Sequence, residues 1–242
     1  MPVIGKLLAG YDVALIQEDW TYHALLAANA GHDIQLLGSG PRSALLGRFS
    51  FLCGTCGSGL AFFAAMPRER LVESAAEPYG VCADWIVSGN DCWATKGFLF
   101  TRLRLASGIE IDVYDTHLES GESDSDFEVR ERQLEILRGF VTEHSASRAV
   151  ILGGDLNAAY DEHRERDMVE RFADAVRLRD SGARQPDLRR WSNRLDWILY
   201  RDGAHVSLSV LAAGEDQRFL RDGAPLSDHP AVFARFRIET KR

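Results

Sequence analysis

The sequence predicts an α/β fold in which mixed β-sheets pack on one another with helices outside. Three observations predict it. Strand-like and helix-like segments alternate along the whole chain. A tight turn joins two of the strands, so a hairpin sits within the strand–helix alternation. Several strands lack regular polar alternation, as strands covered on both faces do. A chain of 242 residues can bury one substantial core. No repeat, low-complexity tract or Pro/Gly/Ser-rich linker divides it, so one domain over residues 1–242 is expected.

The elements follow in order. IGKLL, residues 4–8, reads as the end of a helix stopped at Gly10. VALIQ, residues 13–17, is a short apolar strand ending at Glu18. Residues 20–30 are rich in Ala and Leu and stop at Gly31, which predicts a helix. GLAFFAA, from Gly59, predicts a buried strand. FLFTRLRL and IEIDVYDTHL flank the turn ASG, residues 106–108, and predict a hairpin. Along its second strand Ile109, Ile111 and Val113 share a face, and Asp115 and His117 continue that parity. Phe127, Leu134, Leu137 and Val141 recur at helical spacing over residues 126–141, after a Ser/Asp-rich start able to cap. Residues 163–178 read as a second amphipathic helix. RLDWILY, residues 194–200, and AVFARFRI, residues 231–238, are late strands.

Composition narrows the partners. The chain is 45% hydrophobic and 26% charged, ordinary for a soluble globular protein, with a formal net charge of −8. No apolar run is long enough to cross a bilayer, and the start, MPVIGKLLAG, is too short in apolar residues for a secretory signal. The basic clusters around Arg68 and Arg189 are short and flanked by acids, so duplex nucleic acid is a disfavoured partner. Acidity also suits a site that gathers divalent cations. Cysteines stand at 53, 56, 82 and 92. Their spacing leaves three readings open: a metal knuckle, one or two disulfides in an oxidising compartment, or buried free thiols.

VILGGDLNAAYDE, residues 150–162, carries an apolar strand past two glycines to Asp155 and Asn157. Side chains at i and i+2 of an extended segment face one common point, which is where chemistry is expected. Four other segments end an apolar strand, or follow a turn, with polar groups. They are QED at 17–19, DTHL at 115–118, RLDW at 194–197 and LSDHP at 226–230.

In this order the five segments resemble the endonuclease/exonuclease/phosphatase superfamily, the fold of pancreatic-type deoxyribonuclease. The resemblance implies a four-layer α/β/β/α sandwich of two packed mixed sheets with helices outside. A finer similarity is to the neutral sphingomyelinase-like branch. It rests on the strand entry with Asp91, Lys96 and Gly97, on Arg130 and Gln133 in VRERQLEIL, and on GSGL at 57–60. Members of the family begin with a strand carrying an Asn, and this chain is expected to lack that strand. Its compartment is left open: cytoplasmic as the chain stands, secreted if a preceding segment carries a signal peptide.

The resemblance assigns roles residue by residue. Glu18 is implied as a ligand to Mg2+, with Mn2+ as a substitute; the plain alternative is a solvated Glu at a helix start. Asp228 is a further metal ligand or a turn cap. Asp155 orients or deprotonates an attacking water while Asn157 donates to a phosphate oxygen, or the two form an Asx turn. His229 is the candidate general base, with Asp196 fixing its tautomer; whether Asp155 or His229 takes the proton is left open. His117 stabilises charge on the phosphoryl group or leaving group. Lys96 neutralises substrate phosphate or snorkels beside a strand. Trp85, Trp93 and Trp191 form a lipid-facing rim or fill core. The implied activity is a monomeric, metal-dependent phosphodiesterase that acts on a phospholipid headgroup or similar small ester, at a membrane surface where the substrate is lipid. Alternatives are a nuclease on the same scaffold and a non-catalytic binding member of the fold.

Overall fold

The computed structural model describes residues 1–40, 57–83, 94–182 and 195–241. In chain order it begins with α1 (Pro2–Leu8), β1 (Val13–Ile16), α2 (His23–Ala30), β2 (Ile34–Leu37) and β3 (Ala61–Ala64). Next come β4 (Leu71–Pro78), β5 (Gly97–Arg104), β6 (Glu110–His117), α3 (Asp124–His144), β7 (Ala149–Asp155) and α4 (His163–Ala175). The chain closes with β8 (Arg179–Asp180), β9 (Asp196–Arg201), β10 (Val206–Glu215), β11 (Leu220–Arg221), β12 (Ala224–Pro225) and β13 (Val232–Thr240).

Among the described residues, six strands form a central sheet in the order β4-β5-β6-β7-β9-β8. It is mixed: β6 and β7 run parallel and the other pairs antiparallel. Strand parity divides its side chains between two cores. Phe98, Phe100, Tyr114, Val150, Leu152, Trp197 and Leu199 pack with Phe127, Leu134 and Val141 of α3 and Met168, Val169 and Phe172 of α4. Leu99, Leu103, Ile111 and Val113 point the other way, onto Ile34, Phe62, Ala64 and Leu208 of the facing layer. Beyond that layer, α1 and α2 cover Ala14, Ala61 and Phe63. The result is the four-layer α/β/β/α sandwich. Each fully buried Leu or Phe contributes about 1.5–3 kcal/mol relative to exposure, so these two interleaved cores dominate the stability.

The facing layer departs from a continuous mixed sheet. It consists of an antiparallel β1-β3-β2 sheet and an antiparallel β10-β13 pair, with no ladder between the two among the described residues. Boundaries move as well. The helix expected over 20–30 starts at His23, because Trp20 is drawn out of the helix to donate from Nε1 to the Gly57 carbonyl at 2.9 Å. It stops as expected at Gly31, whose φ of 66° only glycine adopts freely. The last helix ends at Ala175 rather than 178, although Val176 and Leu178 stay in the core. α3 runs 21 residues behind a reciprocal capping box between Ser123 and Asp126.

Both glycines before Asp155 have a steric reason. A Cβ on Gly154, at φ 144°, would stand 1.9 Å from the Thr116 carbonyl oxygen. A Cβ on Gly153 would stand 2.8 Å from Leu15 Cδ1, so the missing side chain lets β1 of the facing layer approach β7.

Candidate active site

The central sheet aligns its polar groups along one edge. Gly97, at the start of β5, is opposite His117, at the end of β6. His117 pairs with Asp155, at the end of parallel β7, and Asp155 pairs with Asp196, at the start of β9. His117, Asp155 and Asp196 therefore continue the face that, one turn of the pleat earlier, carries the inter-sheet core. The sandwich stops being apolar where this row begins.

Contacts follow from the register. Lys96 Nζ lies 2.8 Å from His117 Nε2, with both residues buried. An ammonium has only protons to give, so Nε2 accepts and the imidazole proton resides on Nδ1. That Nδ1 is buried with no hydrogen-bond partner among the described residues. Burial, then the charges of Lys96 and His229, hold the His117 pKa well below the usual imidazole range, so His117 is a neutral ring. Sequence reasoning set Lys96 and His117 down as separate electrophiles; the structure makes them one unit, with the charge on the lysine.

Asp155 Oδ2 is 3.5 Å from His117 Nε2 and 3.9 Å from His229 Nδ1. Its pKa is pushed up to about 7, first by burial and then by the neighbouring charge of Asp196. His229 Nδ1 donates to Asp196 Oδ2 at 2.9 Å, which leaves Nε2 as the nitrogen able to exchange a proton with a substrate. The hydrogen bond to Asp196 raises the His229 pKa to about 9, burial opposing it and the charges of Asp196, Asp155 and Asp228 adding to it. Asp155, Asp196 and His229 thus share protons within one cluster.

Asn157 sits outside the strand parity assumed for it. Its φ is 45°, its backbone N–H donates to Asp155 Oδ1 at 2.8 Å, and its Nδ2 donates to the Leu118 carbonyl at 2.9 Å. It forms an Asx turn that ties the end of β7 to the end of β6, and one amide proton of Nδ2 is left to donate elsewhere. Arg130 and Gln133 act on the segment after His117. Arg130 donates to the Glu119 and Gly121 carbonyls, and Gln133 accepts from the Glu119 N–H.

Glu18 is exposed at the end of β1, in the left-handed region at φ 58°. The residue before it, Gln17, donates to Asp115 Oδ1 at 2.6 Å, and the residue after it, Asp19, donates its N–H to the Gly59 carbonyl at 2.8 Å. Asp115 is fully buried two residues before His117, on the same face of β6. Burial raises its pKa well above the carboxylate range, opposed by hydrogen bonds from Gln17 and the Ile16 backbone N–H. Sequence parity put Asp115 beside His117 but gave it no role. Asp228 is exposed beside His229 and accepts from Ser227 at 3.0 Å.

Among the described residues no three His, Cys, Asp or Glu side chains are arranged to hold a metal ion by themselves. The oxygen groups at this edge, the carboxylates of Glu18 and Asp228 and the carboxamide of Asn157, are hard donors. A cation such as Mg2+ binds through one or two carboxylates and keeps several waters, so this donor chemistry fits it. Cys82 is held in a disulfide. Cys53, Cys56, Cys92, Asp91, Trp85, Trp93 and Trp191 lie outside the described residues.

A family model described as the endonuclease/exonuclease/phosphatase family matches residues 3–229. A sphingomyelinase of Mycobacterium bovis is 29% identical over 245 aligned positions, which cover 95% of this chain and 46% of that protein. The chain therefore spans about half the length of the curated relatives it matches. Among solved structures, TDP2 of D. rerio, complexed with a single-strand DNA product, superimposes with a TM-score of 0.68 at 17% identity, covering 96% of this chain and 88% of that one. A Staphylococcus aureus beta toxin variant with bound magnesium ions superimposes with a TM-score of 0.59 at 16% identity, covering 95% and 87%.

Proposed function

The chain belongs to the endonuclease/exonuclease/phosphatase family, and from that premise we propose that it is a metal-dependent phosphodiesterase acting by in-line attack of water on a phosphoester. The carrying observation is the row Lys96, His117, Asp155 and Asp196 along the edge of four adjacent strands, with His229 of the β12–β13 loop bonded to Asp196, and with exposed carboxylates at Glu18, just after β1, and at Asp228 of the same loop as His229.

Bound Mg2+ would supply charge to polarise the phosphoryl group and to offset negative charge on the leaving oxygen. Glu18 and Asp228 are the residues that would hold it. The rest is done by the protein's own groups. The Lys96 ammonium, oriented by neutral His117, presents positive charge to the non-bridging phosphate oxygens. Asn157 holds Asp155 in place and offers its remaining amide proton to the same oxygens. Asp155 and His229, 3.9 Å apart, are the proton carriers for the attacking water, with Asp196 fixing the imidazole. The products are a phosphomonoester and an alcohol.

A phospholipid headgroup is the proposed substrate class. The M. bovis relative supports it, as does the net charge of −8, which opposes a polyanionic duplex. The likeness to TDP2 with its DNA product supports a second reading, a nuclease acting on single strands. Purified protein should hydrolyse bis(p-nitrophenyl) phosphate with Mg2+ or Mn2+ and stop when EDTA is added; full turnover in EDTA would remove the metal from the mechanism. Sphingomyelin, lysophospholipids, inositol phosphates and single-stranded DNA compared at equal concentration then separate the two substrate classes.

A further inference from the structure

We propose that Asp115 is a positioning residue that fixes the end of β1, and with it the carboxylate of Glu18, against the catalytic row. The inference rests on the reading of Glu18 as the cation's ligand.

β1 and β6 lie in different layers, and no ladder joins them among the described residues. Side-chain contacts between the layers set their relative height, and a shift along the strands would move Glu18 relative to His117 and Asp155. Asp115 is placed to do this. Its carboxyl projects from β6 into the inter-sheet space, accepts from Gln17 Nε2 at 2.6 Å and lies beside the Ile16 backbone N–H. These are the two residues that immediately precede Glu18. On the far side the Asp19 N–H is held by the Gly59 carbonyl at 2.8 Å. Glu18 is thus pinned from both flanks, which explains how a non-glycine residue is kept at φ 58°.

Packing alone would not call for a carboxyl here. Leu15 over Gly153 already brings the layers together. An acid in this position is fully buried, and its second oxygen, Oδ2, has no hydrogen-bond partner among the described residues. A buried polar atom without a partner destabilises a fold, so a group retained at that cost points to a requirement other than stability. A neighbour that orients a metal-binding group, without touching the metal, changes affinity by about ten- to a hundred-fold when removed.

The test is a Mn2+ titration of the full chain followed by electron paramagnetic resonance, together with kcat against Mn2+ concentration. Asp115→Val should weaken Mn2+ binding at least about ten-fold, while kcat at saturating Mn2+ falls much less. Gln17→Leu, which removes the donor from the other side, should give the same split and serves if Asp115→Val does not fold. Asp115→Asn, which keeps the carbonyl oxygen facing Gln17, should restore affinity; a folded Asp115→Asn as weak as Asp115→Val would overturn the proposal. So would wild-type affinity in Asp115→Val or Gln17→Leu while Glu18→Gln has lost Mn2+. Unchanged binding in Glu18→Gln would instead overturn the ligand assignment on which the inference rests.

Discussion

At the level of single residues, the site is governed by which protons each group holds. His229 carries a pKa near 9 because Asp196 accepts its Nδ1 proton and three carboxylates surround it. Its folded value lies above the unfolded imidazole value of about 6.5. The folded state therefore binds the extra proton more tightly. This stabilisation is complete below about 6.5 and is lost as pH rises through 9. In EDTA, wild type should melt above His229→Gln at pH 6, and the difference should shrink steadily toward pH 10. A gap that stays constant over that range would show that the pair does not titrate as described. The same residues show how far sequence reading reached. Asp196 and His229 were legible as a pair only through the family pattern, since 33 positions separate them. The tautomer of His117 was not legible at all. It follows from Lys96 lying 2.8 Å away across the β5–β6 register, and a strand register is a tertiary fact.

Among the elements, α3 does most to hold the site's outer loop. Its buried face packs on the central sheet through Phe127, Leu134, Leu137 and Val141, and Arg130 and Gln133 reach from it to the backbone after His117. The helix starts at a capping box in which Ser123 Oγ accepts from the Asp126 N–H and Asp126 Oδ2 accepts from the Ser123 N–H at 2.9 Å. Ser123→Ala should lower unfolding stability by about 1 kcal/mol, read as a shift in urea midpoint with an unchanged slope. Turnover should be almost unaffected, because the anchors at Arg130 and Gln133 lie about two to three turns further on. A large rate loss without a stability change would instead place the helix start in the chemistry. Helices and buried strands such as α3, β5, β6 and β7 were readable because burial imposes period or apolar continuity on them. β4 escaped because it is an edge strand, largely exposed, whose LVESAAEP sequence need not be apolar. β2 is only four residues long. β10 did carry a signal, the alternation of Val206, Leu208 and Val210, and went unread.

Over the whole molecule, the two sides of the sandwich are unequally secured. β5, β6 and β7 each have a ladder on both edges and a core on both faces. The β10–β13 pair has a ladder only to itself among the described residues, and holds the rest through Leu208, Val206, Phe236 and Ile238 on one face. Leu211 on the same ribbon is half exposed. Its polar ties to the rest include Tyr11 donating to Asp216 Oδ2 at 2.5 Å, the Leu208 N–H donating to Asp202 Oδ1 at 2.9 Å and Lys241 Nζ donating to the Gly203 carbonyl at 2.9 Å, most of them at the ribbon's ends. Backbone hydrogen bonds with little apolar area behind them open at a fraction of the global free energy. Native-state hydrogen exchange should therefore find β6 and β7 exchanging only through global unfolding, with β10 and β13 opening earlier as one unit. The loop carrying Asp228 and His229 feeds directly into β13, so the proposed metal ligand from this side, Asp228, sits on the less secure half. A cation that binds only the closed arrangement stabilises it by mass action. Added Mn2+ should then slow exchange in β13 strongly and in β6 hardly at all, and uniform slowing across both sheets would mean that the sandwich opens as a single unit.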